Sequence, residues 1–226
     1  MRNIRCSLVI LVGILCMPGA WAHRYIENEG IHTSAESAIP IGDIDVSQVA
    51  YHEATSDSAQ LWLSFEAEAG VIASIEIGVP KIDRYESLRP AFILLGPGLP
   101  ALENSPVEVP EGYGGIVYAT DTISDPEVFD EPFTGTSSWI FGRQEITLPA
   151  SGLYYIVTYV PSGTPGKFWV APGVKEVFGF GDILTLPTVI YKVRTFHEVF
   201  FWGGILGWGY LGAVILLLLP LVFFFV

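Results

Sequence analysis

Cysteine is nearly missing from this chain. The 226 residues contain two, Cys6 and Cys16, so a domain built from the remainder has no disulfide, no thiolate nucleophile and no cysteine-based zinc site. Basic residues are scarce as well: 11 Lys and Arg stand against 24 Asp and Glu, a formal charge of −13. Such a surface repels the phosphates of nucleic acid, and nucleic-acid binding is excluded on that ground. There is no Gly-x-Ser-x-Gly elbow and there are only four histidines. His52 stands beside Glu53, but neighbours on a strand point to opposite faces and do not cooperate. Nucleophilic catalysis is poorly provided for, and the chain reads as a non-enzyme. No Asn-x-Ser/Thr sequon is present, and from Phe200 to Val226 there is no charged side chain.

That last absence organises the rest. A helix over 200–226 would rise about 40 Å, more than the roughly 30 Å of a bilayer's hydrocarbon core, and the stretch predicts a transmembrane helix. At the other end Arg2 and Arg5 precede an apolar run from Leu8 to Met17, which closes on Ala20-Trp21-Ala22. These are the three parts of a signal peptide over 1–22, with the mature chain beginning at His23. Lipoprotein processing at Cys16 is disfavoured by Leu15, where a small residue is wanted. Export followed by stop-transfer places 23–199 outside the cytoplasm, on a single-pass protein of the cell membrane. Lys192 and Arg194, on the outer side, run against the positive-inside tendency. Gly203 and Gly207 form a Gly-x-x-x-Gly pair that lets two such helices approach as a homodimer.

Between the two ends, 23–43 reads as a polar N-terminal arm able to add an edge strand. Residues 44–181 carry short extended runs separated by turn residues. Gln60 to Glu68 alternates, with Leu61, Leu63, Phe65 and Ala67 on one face. After Ala69-Gly70, Val71 to Val79 alternates again, and the two predict an antiparallel hairpin. Ala91 to Leu95 is apolar on both faces, as a central strand would be. The proline-rich stretch from Leu99 to Gly115 reads as a long loop, and Asp121 to Glu131 as an acidic loop. Leu153 to Val160, β-branched and aromatic throughout, reads as a core strand. Residues 182–199 space Val189, Val193, Phe196 and Phe200 at helical intervals and predict a short amphipathic helix at the membrane surface. The fold class expected is all-β: a jelly-roll-like antiparallel β-sandwich, then this helix, then the transmembrane helix.

The segments AEAGVIASIEIGV, AFILLGPG and LPASGLYYIVTYV resemble the bacterial pre-peptidase C-terminal domains across roughly 34–172. The resemblance implies an extracytoplasmic β-sandwich accessory module without catalysis of its own. The proline-rich insertion, the acidic segment and the membrane anchor depart from that family's pattern.

Three constellations are candidates for a site. With His23 at the mature N-terminus, its α-amine and imidazole, joined by His32 or His52, would chelate Cu(II) in a nitrogen-rich brace; His197, beside the membrane helix, is set aside as a partner. Asp121, Asp125, Glu127, Asp130 and Glu131 offer oxygen ligands for Ca²⁺, although their spacing matches no EF-hand. Trp62, Trp139, Trp169, Tyr154 and Tyr155 fit a sandwich core better than an exposed platform for sugar or peptide. The function expected is that of a membrane-anchored extracytoplasmic module binding a protein or glycan, with no cofactor; the alternative is a copper-binding protein.

Overall fold

The computed structural model describes residues 23–177 and 180–200. The predicted signal peptide, Gly203, Gly207 and all of the predicted transmembrane helix except Phe200 lie outside them. Among the described residues no helix is long and apolar enough to cross a membrane.

Among the described residues eleven strands form two sheets. The six-stranded sheet has the order β1 (Arg24–Ile26), β3 (Gln48–Ala54), β11 (Gly166–Pro172), β5 (Ile72–Pro80), β9 (Thr136–Thr147) and β8 (Glu127–Glu131). The five-stranded sheet has the order β2 (Ile39–Pro40), β4 (Gln60–Ala67), β10 (Gly152–Tyr159), β6 (Ala91–Gly96) and β7 (Gly114–Tyr118). All pairings are antiparallel except β1 with β3 and β2 with β4. The N-terminal arm thus supplies one edge strand to each sheet.

Period-two alternation builds the core between the sheets. Leu61, Leu63, Phe65, Phe92, Leu94, Tyr154 and Ile156 face Ala50, Ile75, Ile77, Val79, Phe168 and Val170 in one buried cluster. The predicted hairpin of β4 with β5 is not formed. β4 pairs with β10 and β5 with β9 and β11, in opposite sheets, so the Ala69-Gly70 turn is an arch between layers. An arch brings the two apolar faces together across the core, whereas a hairpin would lay them side by side.

The acidic segment is a loop only in its first half, because residues 127–131 pair with β9 as edge strand β8. Glutamate and aspartate on an edge also discourage pairing with another chain. The proline-rich loop between β6 and β7 lies over the outer face of the five-stranded sheet. There Leu102, Val109 and Tyr113 pack on Trp62, Ile93, Leu95, Val107, Tyr155 and Val157.

The predicted amphipathic helix is α1 (Phe180–Phe196). It lies against the outer face of the six-stranded sheet, with Val193 and Arg194 buried and His197 buried just past its end. Among the described apolar side chains here, Tyr191 of α1 and, past its end, Val199 and Phe200 are exposed, Phe200 most of all at 75%.

Candidate functional site

Strand register fixes which residues meet α1. Trp169 is opposite Tyr51 and Gly78, Gly78 is opposite Ile140, and Ala171 is opposite Glu76, itself opposite Arg143. Partners across a ladder share a face, so these side chains form the outer floor. Gly78 leaves room for the Trp169 indole, which lies 2.2 Å from where a Cβ would stand. The β1 register adds Tyr25 beside Val49, and Tyr25 stacks on Tyr51 at 5.7 Å. From α1, Phe196 meets the Tyr51 ring edge-on at 5.0 Å.

Two adjoining cavities of about 230 and 180 Å³ remain between this floor, the 131–134 turn and α1, and both are lined by His23, Val49, Tyr51 and Glu131. Tyr51 is so deeply set that burial, aided by Glu131, raises its phenol well above the ordinary range. Among the described residues its hydroxyl has no hydrogen-bond partner. His23 Nδ1 is 2.5 Å from Ser47 Oγ, which leaves Nε2 open. Burial, with Arg143 nearby, lowers this imidazole to about 4, so it is neutral at neutral pH. Arg143 pairs with Glu76 at 3.1 Å, and burial raises the Glu76 carboxyl.

His197 lines the smaller cavity with His23, although its place beside the apolar C-terminal stretch gave reason to set it aside. Its Nδ1 is 2.9 Å from the Val193 carbonyl, an acceptor, so the proton is on Nδ1. Nε2 then accepts from Ser138 Oγ at 3.1 Å, while Trp169 Nε1 donates to the same oxygen at 3.0 Å. A serine bonded to a histidine has the outline of a nucleophile and its base. Here burial lowers the imidazole to about 4, a weak base. The Trp169 N–H engages the hydroxyl oxygen, and a carbonyl stands where a hydrolase places an acid. The chain of bonds serves as a latch for the end of α1.

Neither His32 nor His52 is brought to His23 as the second histidine of a copper brace. His23 shares the outer face with Tyr25 and Tyr51. His52, one residue beyond Tyr51, points into the sandwich, where its ring meets Phe168 at 5.3 Å and its Nε2 donates to Ser58 O at 2.9 Å. Burial lowers this imidazole too. His32 turns Nδ1 to Ser37 O at 2.6 Å and Nε2 to Glu29 O at 3.0 Å, so neither nitrogen faces an open coordination position.

The acidic residues are also dispersed. Alternation along β8 places Glu127 and Glu131 on one face and Asp130 on the other, and Asp121 and Asp125 precede the strand. Glu131 accepts from the backbone N–H groups of Phe133 and Thr134 at 2.9 and 2.7 Å, closing the turn to β9, and Asp130 accepts from Ser137 at 2.5 Å. Among the described residues, no three His, Cys, Asp or Glu are arranged to hold a metal. Of the five aromatics expected in the core, Tyr154 lies between the sheets, with Trp139 half-buried against the same cluster; Trp62 and Tyr155 are buried beneath the proline-rich loop and Trp169 on the outer floor under α1. Sequence reasoning missed Tyr51, Glu76, Arg143 and His197. The outward alternation of Val49, Tyr51 and Glu53 was a usable signal for the first of these, and nothing local marked the others.

No family model matches the chain, and no curated protein matches it. Among solved structures it is similar to the pre-peptidase C-terminal domain of a Bacillus anthracis collagenase, at 10% identity over 64% of this chain and 97% of that one, with a TM-score of 0.31. It is also similar to PliG of Aeromonas hydrophila, a periplasmic inhibitor of g-type lysozyme, at 14% identity over 68% and 100%, TM-score 0.33. A third is CorA of Methylomicrobium album, a surface-associated copper-binding protein, at 10% identity over 69% and 99%, TM-score 0.32. The first is a domain of the family that the sequence resembles. At such identities these are likenesses of fold, and what the three proteins bind is said of them alone.

Proposed function

We propose that this chain is an extracytoplasmic binding module, a jelly-roll-like sandwich tethered to the cell membrane by residues 200–226, without catalytic activity of its own. The observation that carries the reading is the cavity beneath α1. It holds polar groups with unused hydrogen-bonding capacity, the Tyr51 hydroxyl and His23 Nε2, and no nucleophile poised to react. Concave, partly apolar sites with a few convergent polar groups are where ligands are held. The partner is a protein or glycan that inserts a polar group there. The test is binding of the detergent-solubilised full chain to glycan and peptide libraries, followed through the fluorescence of Trp169. Saturable binding that weakens in Tyr51→Phe supports the site, and binding that ignores Tyr51→Phe removes it. For the tether, sodium carbonate washing should leave the chain in the membrane fraction, and release into the supernatant would discard it. Leucine at both Gly203 and Gly207 should reduce the oligomer size in detergent if the helices pair through that face.

Copper is the second reading, favoured by the place of His23, whose imidazole lines both cavities. After processing before His23, the α-amine and Nδ1 would give two nitrogens in one chelate ring once Nδ1 turns from Ser47 Oγ, without help from His32 or His52. Titration of Cu(II) into the processed chain, read by electron paramagnetic resonance, should show one copper per chain. A one-residue N-terminal extension should abolish it; equal signals from both forms, or none from either, would end this reading.

A further inference from the structure

Past Phe196 the chain makes one more turn, and several contacts fix that turn to the sandwich. Glu198 has a φ of 58°, uncommon for a residue with a side chain and kept where the surroundings determine it. Its carboxylate receives Arg84, from the 3-10 turn Asp83–Tyr85, and Lys167 of β11 at 2.7 Å. Arg194 is 3% exposed. Its Nε donates to the Phe200 carbonyl at 3.0 Å, joined there by Nη2, while Nη1 reaches the carbonyls of Thr134 and Gly135. A planar guanidinium held by three carbonyls sets direction as well as distance. His197, on the Ser138 latch, completes the clamp.

Phe200 emerges just beyond it, and no charged residue follows to Val226. No linker separates the clamp from the uncharged segment. Four connections turn at this same end of the sandwich, those joining β3 to β4, β5 to β6, β8 to β9 and β10 to β11. Lys81, Arg84, Arg89 and Lys167 stand here together with Asp57, Asp83, Glu86, Asp121 and Glu198, so the charges of this end are balanced on a strongly acidic chain. What directs it to the bilayer is Phe200, 75% exposed and leading straight into the uncharged segment.

We infer that this end of the sandwich is a lipid-facing surface, and that the clamp seats the domain directly on the bilayer in one orientation, with the Ala69-Gly70 arch pointing away. The inference rests on the tethered reading above and adds to it the surface and the attitude. The eight residues of β10 put roughly 25 Å between the two ends, enough for a headgroup-bound quencher to tell them apart.

The experiment uses the full chain with Cys6→Ser and Cys16→Ser, reconstituted in phosphatidylcholine vesicles, with a fluorophore on Ser87→Cys at the clamp end or Ala69→Cys at the arch. Headgroup nitroxide lipid should remove most of the fluorescence at position 87 and almost none at 69. In Glu198→Gln combined with Arg84→Gln, quenching at 87 should decline while the domain keeps its near-ultraviolet circular dichroism. Equal quenching at both sites, stronger quenching at 69, or a value at 87 indifferent to the clamp variant would overturn the seating while the tether stands. Failure of the chain to enter vesicles at all would remove the tether, and the seat with it.

Discussion

The two sheets close their outer faces in opposite ways. On the five-stranded sheet, Trp62, 1% exposed, and its neighbours are covered by the proline-rich loop through apolar contact. On the six-stranded sheet, α1 adds hydrogen bonds and ion pairs to the apolar contacts of Val193 and Phe196, its floor contains Glu76, Arg143 and Tyr51, and cavities remain. Apolar closure excludes water and fills space, and the face it makes supports the fold. Polar closure demands directional contacts, which leave gaps where directions fail to converge, and those gaps are the cavities under α1.

The sharpest attack on this contrast is Trp62→Ala, which should destabilise the chain by about 3–5 kcal/mol, read by urea denaturation. A loss no larger than that from substitutions under α1 would mean that the loop does not close its face by packing.

Acid should act on the helix side, where His23 and His197 lie. Both titrate near 4 when folded and near 6.5 when unfolded. Above 6.5 both states are neutral and no difference arises. As the pH falls from 6.5 toward 4 the unfolded chain takes up protons that the folded chain refuses, so stability falls, by on the order of 3 kcal/mol at most for each residue. His197→Gln should flatten the profile of stability against pH over this window. An unchanged slope would show that His197 is not held neutral.

Gly78→Ala should cost about 1–3 kcal/mol through overpacking against Trp169, and it should disturb the Ser138–His197 latch enough to shift the His197 imidazole resonance. Preservation of that resonance would uncouple Trp169 from the latch. Tyr51→Phe should change stability least, by about 0.5 kcal/mol or less, because its hydroxyl has no partner to lose among the described residues. A larger loss would mean that the cavity's open valence is occupied within the protein.

Alternation made the inner core readable from sequence. It told which side of β4, β5 and β10 is dry, and the uniformly apolar β6 announced a central strand. Alternation is silent about partners, because a hairpin and an arch both satisfy β4 and β5; only the eight-residue ladder with β10 decides. The same silence hid the site. His23 and His52 are polar residues of one chain segment until the parallel register of β1 with β3 puts them on opposite faces of a sheet. His197 reaches the cavity because α1 folds back over the outer floor, a placement determined by side chains distant in sequence, Tyr51, Ser138 and Trp169.

The ladder of β3 with β11, Ala54 opposite Gly166, also sets a schedule. A chain that emerges from its N-terminus exposes β1, β3, β4 and β5 long before β9, β10 and β11 exist to pair with them. Apart from the short edge pairings of β1 with β3 and β2 with β4, β3, β4 and β5 each wait for a late strand, and closing such long loops makes folding slow. During that interval the apolar faces of β4 and β5 are bare, and they are the segments most in need of shielding from one another's copies on neighbouring chains.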